Sequence, residues 1–267
     1  MCGIVGAVAE RNVTPILIEG LKRLEYRGYD SAGICTLDQG ELIRRRAEGK
    51  LNNLVVELAG NPAPGDTGIA HTRWATHGKV TQGNTHPFTS RNGNFAVVHN
   101  GIISNYRSLR DSLKKEGYKF SSETDTEVIA HLLEKFYKRS RNVEKAFLKM
   151  LNLIEGTYAI ALISTYHPEQ IFCAKKESPL MLGIGDEIKF IGSDFNAFID
   201  HTKNAVILDD GEYVILSRDT YVVKDLLSKE EVTKPILKLN GIVRLPKKED
   251  TLITCSRKFM SSLKLLP

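Results

Sequence analysis

The chain has 267 residues, 42% of them hydrophobic and 26% charged, which suits one large globular domain or two small ones. No apolar run approaches the ~20 residues that span a bilayer, and the start lacks the basic-then-apolar pattern of a signal peptide, so a cytoplasmic protein with no membrane partner is expected. The net charge of +5 sits in residues 231–267, with eight Lys/Arg against three Asp/Glu; residues 1–230 balance at zero, which argues against a nucleic-acid partner.

In chain order, Gly3–Ala9 reads as a short apolar strand. Thr14-Pro15 predicts a helix start, with Thr14 as N-cap and proline at the first helical position. Ile16, Leu17, Leu21 and Leu24 give that helix an apolar face. Strands follow at Ala32–Leu37 and Glu41–Ala47, the second carrying Arg44-Arg45-Arg46, most simply a solvated strand edge. Thr67–His71 and Phe95–His99 are buried-strand candidates. Helices are predicted over Asn105–Glu116 (closed by Gly117), Thr126–Lys138 and Val143–Leu153. A second block of strands covers Tyr158–Ser164, Gln170–Ala174, Ile188–Gly192 and Glu212–Leu216. Strands and helices cluster rather than alternate, which favours sheets packed on each other with helices outside over a doubly wound parallel sheet. The cysteines (Cys2, Cys35, Cys173, Cys255) show no paired spacing, so neither a disulfide framework nor a zinc site is suggested.

Residue 2 is a cysteine. Initiator methionine is normally trimmed before a small residue, which would leave Cys2 with a thiol and a free α-amine on one Cα. Such an amine titrates near pH ~8, so part of it can accept the thiol proton. The plainer alternative is an inert cysteine at a strand edge. Four polar, glycine-containing segments then fall at strand ends or loops, where sites are usually built. They are Glu25–Gly33, His71–Gly78 with the only tryptophan, His99–Asn105, and Ser122–Glu127.

With the start Cys2-Gly3-Ile4-Val5-Gly6, the strings Tyr26-Arg27-Gly28-Tyr29-Asp30-Ser31-Ala32-Gly33 and Thr72-Arg73-Trp74-Ala75-Thr76-His77-Gly78 resemble one family. That family is the glutaminase domain of the glutamine–fructose-6-phosphate aminotransferases, within the class II glutamine amidotransferases. The resemblance runs from Cys2 to about Thr233, so a domain over 2–233 is expected. Purine-pathway and asparagine-synthesis relatives share the Cys-Gly-Ile start and an Asn-Gly pair but do not usually carry those two strings.

The resemblance implies an α+β fold, the four-layer α/β/β/α sandwich of the N-terminal-nucleophile hydrolases. It implies hydrolysis of L-glutamine to glutamate and ammonia through a Cys2 thioester, with no metal or organic cofactor. The tetrahedral intermediate needs preorganised donors, and Asn100 (side-chain amide) and Gly101 (backbone N–H) could supply them; by itself the pair would be read as a turn. A guanidinium suits the substrate carboxylate, which points to Arg73, with Thr76 and His77 as neighbouring donors. Arg73 could otherwise be a surface ion pair. Asp125 matches the family's acceptor for the substrate ammonium, and it also precedes an amphipathic run as a helix cap would. Trp74 matches the family's gate on the ammonia path, or is plain core. Arg27 matches a residue that helps orient the terminal amine. His86 is read as structural and the other cysteines as inert. Two alternatives stay open: another class II amidotransferase domain, or a catalytically silent glutamine-binding module.

Family members continue into two sugar-isomerase domains, whereas this chain stops at Pro267, so 234–267 is expected to be a tail without a domain. One permitted codon choice for Leu239–Leu266, read one frame over, includes K-G-G-Y-I-N-Y-M-L-K-E-I-Y-E-Q-P. That resembles the family's interdomain linker, so an out-of-frame linker is expected. Fructose 6-phosphate would be a substrate only in a complete enzyme, and a separately encoded isomerase is a candidate partner.

Overall fold

The computed structural model describes residues 2–74 and 80–239. The elements run β1 (Gly3–Ala9), α1 (Thr14–Leu24), β2 (Ser31–Asp38), β3 (Glu41–Glu48), α2 (Leu51–Gly60), β4 (Thr67–Arg73), β5 (Phe88–Thr89), β6 (Phe95–Ile103), α3 (Tyr106–Lys115), α4 (Glu127–Ser140) and α5 (Val143–Leu151). They continue with β7 (Gly156–Ser164), β8 (His167–Lys176), β9 (Met181–Ile184), β10 (Ile188–Gly192), β11 (Asn204–Ile207), β12 (Glu212–Ser217), β13 (Tyr221–Asp225) and β14 (Leu237–Lys238). Among the described residues, no helix is long and apolar enough to cross a membrane.

Two antiparallel sheets form. One has eight strands in the order β14-β11-β9-β10-β1-β4-β2-β3, the other six in the order β13-β12-β8-β7-β6-β5. Alternate residues of β1 divide between two cores, as a strand's two-residue period requires. Ile4 and Val8 face the second sheet, among Val98, Ala161, Ile171 and Cys173. Val5, Ala7 and Ala9 face the helices α1 and α2, against Leu17, Leu21 and Leu54. The helices α3, α4 and α5 cover the far face of the six-stranded sheet through Leu113, Leu133 and Phe147 on Phe95, Leu162 and Phe172. The layers are therefore α/β/β/α, as expected. Because both faces of each sheet are covered, inner strands such as β1 are apolar along their length, and β4 is fully buried even though it carries His71, Thr72 and Arg73 toward the site.

Three local expectations are corrected. Thr14 is inside the first turn of α1 rather than its cap; the cap is Val13, and the Thr14 hydroxyl donates to the Ala63 carbonyl. The arginine run lies on β3, an outermost strand, but its guanidiniums are not simply solvated. Arg44 donates to the Pro87 carbonyl (3.3 Å), Arg46 to the Thr85 carbonyl (2.9 Å) and Arg45 to the Asn61 carbonyl (2.9 Å). Arg44 and Arg46 thereby pin the segment that carries His86.

The boundary expected at Thr233 falls short of where the sheet ends. Leu237 and Lys238 pair with Ala205 and Asn204 of β11, the Leu239 N–H donates to the Lys203 carbonyl at 2.8 Å, and Leu239 packs on the α1-side core. Lys234 binds Asp209 at 2.6 Å and Glu212 at 2.7 Å, holding the approach to that strand. The remainder of the expected tail, 240–267, lies outside the described residues.

Candidate active site

The strand β1 is central in its sheet and places Cys2 immediately before its first residue. Its neighbour β4 ends in Arg73, and the register Gly3↔Thr72 brings that end beside Cys2. The Trp74 N–H donates to Cys2 Sγ at 3.2 Å, and the thiol can donate in turn to the Trp74 carbonyl at 3.6 Å. From the facing sheet, β6 delivers Asn100, whose Nδ2 donates to the Cys2 carbonyl at 3.1 Å. Two of the four segments singled out by sequence thus meet Cys2 through contacts between residues 72 and 98 positions apart.

A small open cleft lies here, lined by Cys2, Arg73, Trp74, His86, His99, Gly101, Thr124 and Asp125. Gly101 has φ +125°, and a Cβ there would sit 2.1 Å from the Thr157 carbonyl oxygen, so glycine is required where β6 passes the nucleophile. Asp125 is not a helix cap: α4 is capped at Thr126 without a side-chain bond, and Asp125 Oδ2 accepts the Ile103 N–H at 2.8 Å. Thr126 Oγ1 lies 3.0 Å from both His86 Nε2 and His99 Nδ1. Asn100 Oδ1 is 3.0 Å from His71 Nε2, and the His71 and His86 rings are 4.1 Å apart.

Burial sets the charges. It lowers His71 to about 3 and brings His86 and His99 down as well, so all three imidazoles are neutral in neutral solution. Burial also raises the Cys2 thiol, only partly opposed by the Trp74 N–H and the Arg73 guanidinium, so the sulfur needs a base to become a thiolate. Among the described lining residues, formal charge comes from Arg73 and Asp125, one of each sign. Among the described residues, the lining thus combines one cation, one carboxylate and a thiol, a set that suits a zwitterionic amino acid with an electrophilic side chain.

The structure therefore brings Cys2, Arg73, Trp74, Asn100, Gly101 and Asp125 together. Arg27 is held away from the lining: its Nη2 pairs with Asp194 at 2.7 Å, and Tyr26 OH donates to the same carboxylate at 2.9 Å. The next residue back, Ser193, accepts the Ile4 N–H at 3.0 Å, so this buried pair braces β1 from its other flank. Trp74 is 41% exposed, its ring edge on Tyr29 with centroids 5.3 Å apart. Thr76 and His77 lie outside the described residues. Sequence reasoning did not assign His71, His99 or Thr124 a place at the site, although each stands in one of the four segments. Their only signal was polarity inside an apolar strand or at a helix start.

Residues 71–200 match the family described as glutamine amidotransferase domain. The chain is 45% identical over 248 residues to glutamine–fructose-6-phosphate aminotransferase [isomerizing] of Pyrococcus horikoshii, covering 93% of this chain and 42% of that protein. It is 50% identical over 226 residues to the protein of that name from Pseudomonas putida, covering 84% of this chain and 37% of that one. The chain spans about two fifths of the length of these relatives. Among solved structures, it resembles glutamine phosphoribosylpyrophosphate amidotransferase from B. subtilis, with a TM-score of 0.72 and 26% identity, over 84% of this chain and 49% of that one. A class II domain protein from Silicibacter pomeroyi shares the fold at a TM-score of 0.57 and 13% identity. Layered fold, family match and relatives agree: the chain belongs to the class II glutamine amidotransferases and corresponds to the glutamine amidotransferase part of the glutamine–fructose-6-phosphate aminotransferases.

Proposed function

We propose that the chain hydrolyses L-glutamine to glutamate and ammonia at Cys2. The observation that carries this is the cleft itself: Arg73 and Asp125 provide one charge of each sign for the α-carboxylate and α-ammonium, beside the Cys2 thiol. With the amino-acid end held there, the side-chain amide lies against the sulfur. Removal of Met1 would free the Cys2 amine, which takes the thiol proton. The sulfur attacks the amide carbon, and the oxyanion is met by Asn100 Nδ2 and the Gly101 N–H. The ammonium of Cys2 returns the proton to the departing nitrogen. Ammonia leaves a thioester, which water then hydrolyses to glutamate and free thiol. Thr76 and His77 are proposed as further donors to the substrate and Trp74 as the gate through which ammonia leaves. Arg27 acts on the nucleophile through the Asp194 brace rather than by touching substrate.

In a complete enzyme, that ammonia would serve the conversion of fructose 6-phosphate to glucosamine 6-phosphate in the cytoplasm, with the isomerase part on the same or a separate chain. The span 234–267 is proposed as a segment without a domain of its own beyond the strand ending at Lys238.

The test is a glutaminase assay with mass spectrometry of the chain start. Active protein should begin at Cys2, and Cys2→Ala should abolish turnover while the melting temperature stays within a few degrees. Substantial turnover by a clean Cys2→Ala preparation would overturn the assignment. Glutamine binding without hydrolysis by the wild type would favour the silent module instead.

A further inference from the structure

We infer that His71 is a positioning residue for this hydrolysis: its Nε2–H fixes the Asn100 amide in the one orientation that presents Nδ2 to Cys2. The inference rests on the proposed glutaminase reading and adds a residue that touches neither substrate nor sulfur.

The two ends of a carboxamide have the same shape, so its orientation follows from what surrounds it. The Cys2 carbonyl has no hydrogen to give. The Asn100 atom 3.1 Å from it must therefore be Nδ2, since Oδ1 there would set two acceptors against each other. That choice puts Oδ1 3.0 Å from His71 Nε2, which must then carry the proton. His71 is 1% exposed, so the ring stays neutral and has a single N–H to place. Its Nδ1 has no partner within hydrogen-bond geometry, although the His99 backbone carbonyl lies close enough to the ring to compete for its single N–H. The His86 ring, 4.1 Å away and tilted by 57°, packs against the imidazole and resists its rotation.

A primary amide has two hydrogens on nitrogen. One goes to the Cys2 carbonyl, and the other remains for the oxyanion that forms as sulfur attacks. If the amide turned over, an acceptor oxygen would face that negative charge. The Cys2 carbonyl and the His71 donor together hold Oδ1 on the far side. Removing the donor leaves Asn100 in place but weakens that preference and lets the turned-over amide populate, a fault that lowers kcat and leaves glutamine affinity nearly unchanged.

The experiment combines glutaminase kinetics on His71→Phe, His71→Gln, Asn100→Ala and the His71→Phe/Asn100→Ala double variant with ¹⁵N NMR of the histidine ring nitrogens. His71→Phe should lower kcat about 10–100-fold with KM within twofold. His71→Gln, which can still donate from its amide, should recover part of the loss. In the Asn100→Ala background, His71→Phe should change kcat less than twofold, because there is no amide left to orient. Circular dichroism and a melting curve establish that each variant is folded, and if His71→Phe is not, the His71→Gln kinetics and the NMR decide. The NMR should show His71 as the neutral Nε2–H tautomer. Independent, multiplicative losses in the double variant, or an Nδ1–H tautomer, would overturn the inference. A wild-type chain that hydrolyses no glutamine would instead overturn the proposed function, while the tautomer would still decide the His71–Asn100 contact.

Discussion

Glu127 organises the segment that brings Thr124 and Asp125 to the cleft. It opens α4 and is 3% exposed. One carboxylate oxygen accepts the Ser121 N–H (2.8 Å) and hydroxyl (2.9 Å), the other the Ser122 N–H (2.8 Å) and hydroxyl (2.7 Å). Burial works to raise its pKa, but His131 and the serine donors outweigh that and bring it down from 4.5 to about 2. In Glu127→Gln, an NH2 group must face two of those donors. Bonds to a charged acceptor contribute about 1.5–3 kcal/mol each, and relaxation with entering water returns part of the loss, so a net cost of about 2–3 kcal/mol is expected. At about 2–4 °C per kcal/mol for a domain this size, the melting temperature should fall by about 5–10 °C at pH 7. The sign of the pH dependence follows from linkage. A carboxyl whose folded pKa lies below its unfolded value stabilises fully above about 4.5 and loses that contribution as pH falls toward about 2. Thermal melts of both proteins should therefore show the gap shrinking by more than half between pH 7 and pH 3. Glutamine KM should rise more than kcat falls, because the segment carrying Asp125 loosens. Equal melting temperatures at pH 7, or a gap of the same size at pH 3, would refute this account.

Three further outcomes are expected. Arg73→Ala and Asp125→Ala should raise KM for glutamine far more than Asn100→Ala, which should lower kcat roughly 10²–10³-fold; an Asn100→Ala protein altered only in KM would show that the oxyanion donor is misassigned. Gly101→Ala should destabilise the domain by at least about 2 kcal/mol and remove activity, since the φ of +125° and the Thr157 carbonyl both exclude a Cβ; a stable, active variant in a thermal melt and glutaminase assay would contradict that. A chain ending at Thr233 should melt several degrees below one ending at Leu239, because it lacks β14 and the Lys234 pairs; identical melts would show that this strand adds nothing.

Several inner strands were legible because a sheet covered on both faces writes an unbroken apolar run, as in Gly3–Ala9 and Tyr158–Ser164, but the four-residue inner strands β9 and β11 are too short to show one and went unread. The helix α2 was missed although Leu51, Leu54, Val55 and Leu58 have helical spacing; its start at Lys50 has no side-chain cap to announce it. The strands β13 and β14 went unread because they are half-exposed at sheet edges and carry no alternation. At the site, Cys2, Arg73, Asn100 and Asp125 could be named from residue chemistry set in recognisable strings. Their meeting could not, since it depends on two sheets facing each other. The Arg27–Asp194 pair spans 167 positions and the His71–Asn100 contact 29, and neither leaves a local pattern.

The central place of β1 also orders events during synthesis. Its two partners are β4 and β10, and the Ile4 N–H waits for Ser193. The strand made first is thus enclosed only when a segment nearly two hundred residues later has emerged, roughly 10–40 s afterwards at ribosomal rates of about 5–20 residues per second. Such long-range pairing also makes for slow folding. During that interval the start of the chain is open to the enzymes that trim methionine and to any oxidant. Afterwards the same strand is locked between neighbours. On the proposed function, a released fragment that stops short of β10 would carry Cys2, Arg73 and Asp125 but leave β1 open on one side, and it should lack the hydrolase.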